Sequence, residues 1–188
     1  MSSSPWPYAG WGAAALCGGV ASVYAAPGTG GAFGAALAVT MIAIAAIDAR
    51  LFLIPDPLVL AGLLLGLAAA ATDHSEPVMT ALGDAALRGA VSAALFLAFR
   101  AAYRALRGRE GIGLGDVKLA GVAGVWLSWI GLAVAIDIAA LAALAVVALH
   151  AVRGRRITGA TAIPFGLFFA PAIWLTWLFA AVSPRLLG

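Results

Sequence analysis

The sequence has 188 residues, of which 64% are hydrophobic and only 10% are charged, and its mean hydropathy is +1.06. Soluble domains are nearer to half apolar and a quarter charged, so the composition excludes an ordinary soluble domain and indicates an integral membrane protein. The formal net charge is +3, from 11 Lys and Arg against 8 Asp and Glu. Since the basic residues cluster at the ends of apolar segments, this excess indicates membrane topology and not a nucleic-acid partner.

Seven apolar segments follow one another along the chain, and each is predicted to be helical because backbone polar groups in lipid must pair within their own segment. The fold class is therefore predicted to be all-α, a polytopic transmembrane bundle of about six to seven helices with loops and short helices at its cytoplasmic face. A helix needs about 20 residues to cross the hydrocarbon core, so the fifth segment is expected to be a half-length or oblique helix. The segments cover residues 9–26, 33–48, 58–72, 85–103, 117–129, 131–150 and 164–182.

The first segment is interpreted as a retained helix, because no Lys or Arg precedes it as a signal peptide would require. We divide the chain into residues 1–32, an N-terminal tail with an additional transmembrane helix, and residues 33–188, the main membrane domain. The single cysteine, Cys17, lies in the first segment and is interpreted as a small apolar packing residue. With two histidines and no CxxC or HExxH pattern, neither a metal nor a cofactor is expected.

The distribution of Lys and Arg predicts the topology. Nine of the 11 basic residues lie in or beside three loops, at 49–57, 104–116 and 151–162. Cytoplasmic loops carry an excess of basic residues, so these loops are predicted to be cytoplasmic, with the N-terminus inside and the C-terminus outside. Asp48 and Asp116 would then lie at the cytoplasmic ends of their helices.

Ionisable residues in or beside spanning segments are costly and are candidates for function by default. The candidates are Asp48, Asp56, Asp116, Lys118 and Asp137. Asp48 and Asp116 come from separate segments but share one membrane face, where two carboxylates can share a proton. One can then act as the base for water while the other donates to a substrate carbonyl. This is the acid/base arrangement for peptide hydrolysis without a covalent intermediate.

Residues that loosen the backbone lie beside both acids. Gly113 and Gly115 precede Asp116, and we expect them to adopt unusual φ and ψ angles and to let an extended substrate approach closely. Pro55 and Pro57 flank Asp56 and are expected to prevent a continuous helix through that loop.

The stretches DARLFLIPD (48–56) and GLGDVKL (113–119) resemble the prepilin peptidases, the type IV leader peptidases of bacteria and archaea. These are GxGD-type intramembrane aspartyl proteases. A late IPFG segment at residues 163–166 is similar to the family's Ile-Pro-Phe-Gly segment, and the resemblance covers roughly residues 33–182. The resemblance implies that Asp48 and Asp116 are the catalytic pair. It implies a supporting role for the other motif residues, which are Pro55, Asp56, Gly113, Gly115 and Lys118.

The resemblance also implies a substrate and a location. The expected substrate is a prepilin or pseudopilin-like protein with a short basic leader and an apolar helix, cut at the cytoplasmic face of the inner membrane of a prokaryote. Such an enzyme serves type IV pilus assembly or protein secretion. Larger members carry an N-methyltransferase domain with paired CxxC motifs, which these 188 residues lack. We therefore expect the peptidase activity without methylation.

Other interpretations stay open on the sequence alone. Asp116 could be a helix cap, and Asp48 could be an interfacial acid paired with Arg50. Lys118 could pair with an acid or mark the interface, and Asp137 could bond a neighbouring helix or face the site. A small proton-coupled transporter would use Asp48, Asp116 and Asp137 as a relay, but it predicts acids near the midplane and paired repeats, which the sequence does not show.

Overall fold

The computed structural model describes residues 6–73, 75–153 and 164–183. Within these ranges every regular element is an α-helix, so the predicted all-α class is confirmed, with seven helices. They are α1 (Trp6–Ala25), α2 (Thr29–Leu51), α3 (Asp56–Thr72), α4 (Val78–Arg107), α5 (Leu114–Trp126), α6 (Trp129–Val152) and α7 (Gly166–Val182).

Helices α2, α4 and α6 are each long and apolar enough to cross a membrane, while α3 and α7 are shorter apolar helices. The chain is therefore a multi-pass membrane protein. Helix α5 has 13 residues, which is below the roughly 20 that a full crossing needs. The expectation of a half-length fifth helix is thus confirmed.

The core forms where the short helix α5 packs among α3, α4 and α7. Leu119, Ala120, Val122 and Ala123 of α5 are all 0% exposed. Small residues let α4 and α5 approach closely, as is typical of helix contacts in membranes. A Cβ atom on Gly124 would lie only 2.5 Å from the carbonyl oxygen of Arg88. Helix α5 is thus held closely against α4.

Helix α1 lies against α2 and α7. Its buried Ser22 accepts a hydrogen bond from Nε1 of Trp174 at 3.0 Å and donates to the carbonyl of Gly18 at 2.8 Å. Cys17, on the same helix, is exposed. Its interpretation as a packing residue is therefore wrong, because its side chain points away from α2 and α7.

Candidate active site

A cavity of about 600 Å³ opens at one end of the bundle. The C-terminal end of α2, the loop that follows it, the start of α3 and the start of α5 together form its wall. Asp48 and Asp116 both line it, as do Asp56 and Lys118. The structure therefore brings together the two carboxylates that the sequence places in separate segments.

Asp48 lies in the last two turns of α2 and is 5% exposed. Its Oδ2 atom accepts a hydrogen bond of 2.9 Å from the backbone N–H of Leu167, and the N–H of Gly166 also interacts with the carboxylate. Both donors belong to the first turn of α7. A helix N-terminus carries free N–H groups and partial positive charge, so α7 stabilises negative charge on Asp48.

Gly166 is required by this contact. A Cβ atom at this position would lie 2.8 Å from Oδ2 of Asp48 and 2.9 Å from Cδ1 of Ile54. Real Cβ atoms do not approach neighbours so closely, because van der Waals repulsion is already steep. The resemblance singled out the segment around Gly166 without giving it a role; Ile163, its first residue, lies outside the described residues. The structural role of Gly166 is to admit the Asp48 carboxylate to the start of α7.

Asp116 lies in the first turn of α5, ahead of the apolar part of that helix. Its Oδ2 atom accepts a hydrogen bond of 3.2 Å from the backbone N–H of Gly113, the residue before the helix. The pKa of Asp116 is raised to about 6 as the net result of three effects: burial raises it most, the Gly113 N–H lowers it, and the negative charge of Asp48 raises it. The two carboxylates are therefore close enough to influence each other's protonation.

Ile54 packs between the start of α7, which lies against Asp48, and the start of α5, which carries Asp116. It is 7% exposed, and its neighbours there are Gly166 and Gly115, which precedes Asp116. A Cβ atom on Gly115 would lie 3.0 Å from Cβ of Ile54. Residues of the IPD, GLGD and IPFG motifs thus meet at the Ile54 side chain. The bulk of this side chain sets how closely the starts of α5 and α7 approach each other.

The prediction that Gly113 and Gly115 adopt unusual backbone angles is wrong. Gly113 has φ −69° and ψ 150°, which any residue can adopt, and Gly115 lies within the helix. What the glycines provide is room. A Cβ atom on Gly113 would lie 3.1 Å from Oδ2 of Asp116, and one on Gly115 would press on Ile54.

Asp56 and Lys118 form a salt bridge across the mouth of the cavity. Asp56 is the first residue of α3, after Pro55 at its N-cap, so the prolines do interrupt the helix as predicted. The alternative in which Lys118 pairs with an acid is also confirmed. Both side chains are substantially exposed, and exposed pairs contribute little to stability. This pair therefore shapes the rim of the cavity more than it stabilises the fold.

A residue that the sequence analysis treated as a topology determinant supports the Asp116 loop. The side chain of Arg100, on α4, is 12% exposed and contacts Oε1 of Glu110 at 2.5 Å. It also donates a hydrogen bond to the carbonyl of Ile112, immediately before Gly113. Arg100 therefore fixes the loop that carries Asp116 into the cavity. The sequence offered no signal for this, since the neighbouring Arg104 is 70% exposed in the same basic run.

We expect Arg100→Lys to lower the activity of the site about tenfold or more, because a lysine cannot bind the Ile112 carbonyl and Glu110 in the same fork geometry. Arg104→Lys is the matched control and should stay within about twofold of wild type, since its contact with Glu110 is 3.9 Å and exposed. The measurement is kcat and KM at equal amounts of folded protein. Equal effects of the two substitutions would contradict a specific role for Arg100.

Asp137 is not part of this site. It is exposed on α6 and does not line the cavity, so the alternative in which it faces the site is wrong. The relay of Asp48, Asp116 and Asp137 required by a transporter is likewise absent from the described part of the chain.

The fold and the cavity define a class of protein, a helical membrane bundle with paired aspartates at one end. Comparison with known proteins gives the family. A model of the type IV leader peptidase family matches residues 35–149, a range that includes both acids. The chain therefore belongs to the type IV leader peptidase family.

Individual relatives agree with this assignment. A protein named prepilin leader peptidase/N-methyltransferase from Burkholderia pseudomallei strain 1026b is 35% identical over 176 residues, which cover 93% of this chain and 54% of that protein. Proteins of the same name from Pseudomonas aeruginosa and Dickeya chrysanthemi are 36% identical over 139 residues and 42% identical over 108 residues. These matches cover 73% and 55% of this chain, and 46% and 35% of those proteins.

The chain spans about half the length of the curated relatives it matches. The comparison with solved structures gives no significant match.

Proposed function

We propose that this protein is a membrane-embedded aspartyl endopeptidase that removes the leader peptide from prepilin-like proteins. The observation that carries the proposal is the shared cavity, in which two separate helices present Asp48 and Asp116 to the same space. Family membership supports the reaction, and the names of the relatives support the substrate class. The proposal covers peptidase activity only, because the 188 residues contain a single cysteine and no paired CxxC motif.

The geometry suggests different roles for the two acids. The N-terminus of α7 stabilises negative charge on Asp48, so Asp48 is the base. Asp116 receives one N–H at the longer distance of 3.2 Å and retains the shared proton. Asp48 takes a proton from water as the water oxygen attacks the scissile carbonyl carbon, and Asp116 donates its proton to the carbonyl oxygen. As the tetrahedral intermediate collapses, Asp48 gives its proton to the amide nitrogen, the carbon–nitrogen bond breaks, and Asp116 takes a proton back from a hydroxyl of the intermediate.

This division of roles predicts the pH dependence. Because the pKa of Asp116 is raised to about 6, the proton that it must donate is lost as the pH rises through the upper apparent pKa of the pair. At low pH the base is protonated instead. We expect a bell-shaped profile of kcat/KM. Activity that rises without limit toward alkaline pH would show that both acids work ionised and would contradict the shared proton.

We propose that the site faces the cytoplasm, with the N-terminus inside and the C-terminus outside. The position of the basic residues supports this orientation. A single cysteine introduced at Arg107 in a Cys17→Ala background should react with a membrane-impermeant thiol reagent only after cells are opened. Labelling in intact cells would place the loop at 104–116 outside and overturn the proposed orientation.

The proposed function is tested by co-expressing the chain with candidate prepilins from the same genome. The expected result is a loss of mass equal to the leader, dependent on the wild-type chain. Prepilins of full mass, in membranes that contain correctly inserted protein, would contradict the proposal.

A further inference from the structure

Phe52 occupies a backbone conformation that bulky residues avoid. It follows the last residue of α2 and has φ 52° and ψ 39°, in the left-handed region. It is the one residue other than glycine with positive φ in the described part of the chain. In this region the Cβ atom crowds the carbonyl oxygen, so the position after a helix is commonly glycine or asparagine. Helix α4 follows that rule and ends at Gly108, with φ 66°.

Packing does not explain the aromatic ring at this position. Phe52 is 57% exposed and is not among the residues that pack against the core. Its backbone N–H donates to the carbonyl of Asp48 at 3.0 Å, a bond that glycine or asparagine would make equally well. The strained backbone of Phe52 therefore supports no packing contact or hydrogen bond that glycine or asparagine could not provide. Strained backbone that the fold does not need points to a requirement of function.

The position of the ring identifies that requirement. Phe52 lines the same cavity as Asp48 and Asp116, together with two exposed aliphatic residues, Leu53 and Leu114. We call Phe52, Leu53 and Leu114 the apolar rim. A peptide whose scissile bond lies between the two carboxylates would occupy the cavity that this rim lines, and an apolar side chain beside the bond would bury surface against the rim.

We propose that Phe52 is a specificity-determining residue that binds an apolar side chain of the peptide substrate next to the scissile bond. The inference rests on the proposed endopeptidase function and deepens it. The ring contacts a part of the substrate that does not react, and binding energy from such contacts distinguishes one substrate from another.

The test uses the purified full chain in lipid vesicles and a cognate prepilin. Phe52→Gly and Phe52→Asn both suit a left-handed backbone, so folded protein should be as resistant to heat as wild type or more so. Yet kcat/KM should fall about tenfold or more, which is the range for an apolar group lost from a binding pocket. Phe52→Tyr keeps the ring and should stay within about threefold of wild type. The matched control is Leu51→Ala, since Leu51 is 66% exposed and does not line the cavity.

A substrate series separates direct contact from other effects. Each apolar residue within about three positions of the scissile bond is replaced by Asn, one at a time. One replacement should lower kcat/KM of wild type about tenfold and change that of Phe52→Gly by less than about twofold, because residues in contact are coupled.

Additive losses at every substrate position would overturn the inference, and so would wild-type kinetics of Phe52→Gly. If the ring only contacts lipid, Phe52→Gly and Leu51→Ala will behave alike with every substrate, which also overturns it. These failures leave the proposed function intact, since wild type still cleaves. Absence of cleavage by wild type would instead defeat the proposed function itself.

Discussion

Asp48→Asn and Asp116→Asn are each expected to abolish cleavage of a cognate prepilin while leaving membrane insertion unchanged. Asn nearly preserves the shape of Asp but can neither accept the proton of water nor donate a carboxylic proton. The expected fall in kcat is about a thousandfold or more, in line with the loss of a central catalytic group. The double variant should be little worse than either single variant, because residues that act as one unit are not additive. The measurement is cleavage in membranes with the amounts of folded variant matched.

Two acids outside the pair provide controls. Asp137 is exposed on α6 away from the cavity, so Asp137→Asn should retain cleavage. Asp56→Asn removes one partner of an exposed salt bridge and should lower activity less than tenfold. Substantial activity in either Asn variant of the pair, or independent losses that add in the double variant, would contradict the shared-proton mechanism.

Gly166→Ala is expected to lower kcat about a hundredfold. The new Cβ atom would lie 2.8 Å from Oδ2 of Asp48, so either the carboxylate or the start of α7 must move. Displacement of a catalytic group by about 1 Å can cost that much in rate. KM should change less, because the apolar rim is not displaced. The measurement is steady-state kinetics together with thermal unfolding.

Gly83→Ala on α4 is the matched control, since a Cβ atom there would meet nothing within 4 Å. Alanine is the better helix former by about 0.5–1 kcal/mol, so this variant should be at least as stable as wild type and fully active. A Gly166→Ala variant with unchanged kcat would show that the contact between α7 and Asp48 does not position the base.

Much of the fold could be predicted because an apolar segment in a membrane must pair its own backbone groups, which favours a helix. All seven predicted segments correspond to helices, with ends that differ by up to seven residues, and the fifth is short as expected. The meeting of Asp48 and Asp116 was also predictable, because both acids lie at segment ends on the same side of the bundle. These predictions depend on hydropathy and charge, which are read directly from the residues.

The parts that could not be predicted depend on which helices touch. The contact between the start of α7 and Asp48 joins residues 119 positions apart, and no local pattern indicates it. Gly113 and Gly115 were expected to supply backbone freedom, but they instead supply space beside Asp116 and Ile54. Arg100 could not be distinguished from its basic neighbours, because only packing shows that its side chain turns inward to the Ile112 carbonyl.

The most direct test of the central claim follows a single turnover in water enriched in oxygen-18. Purified full-length protein in lipid vesicles, in excess over prepilin, would be analysed by mass spectrometry. If Asp48 and Asp116 direct water onto the scissile carbonyl, the released leader will carry one heavy oxygen at its new carboxyl end, and both aspartates will remain unlabelled. Heavy oxygen in Asp48 or Asp116, or a prepilin that keeps its full mass, would contradict the account.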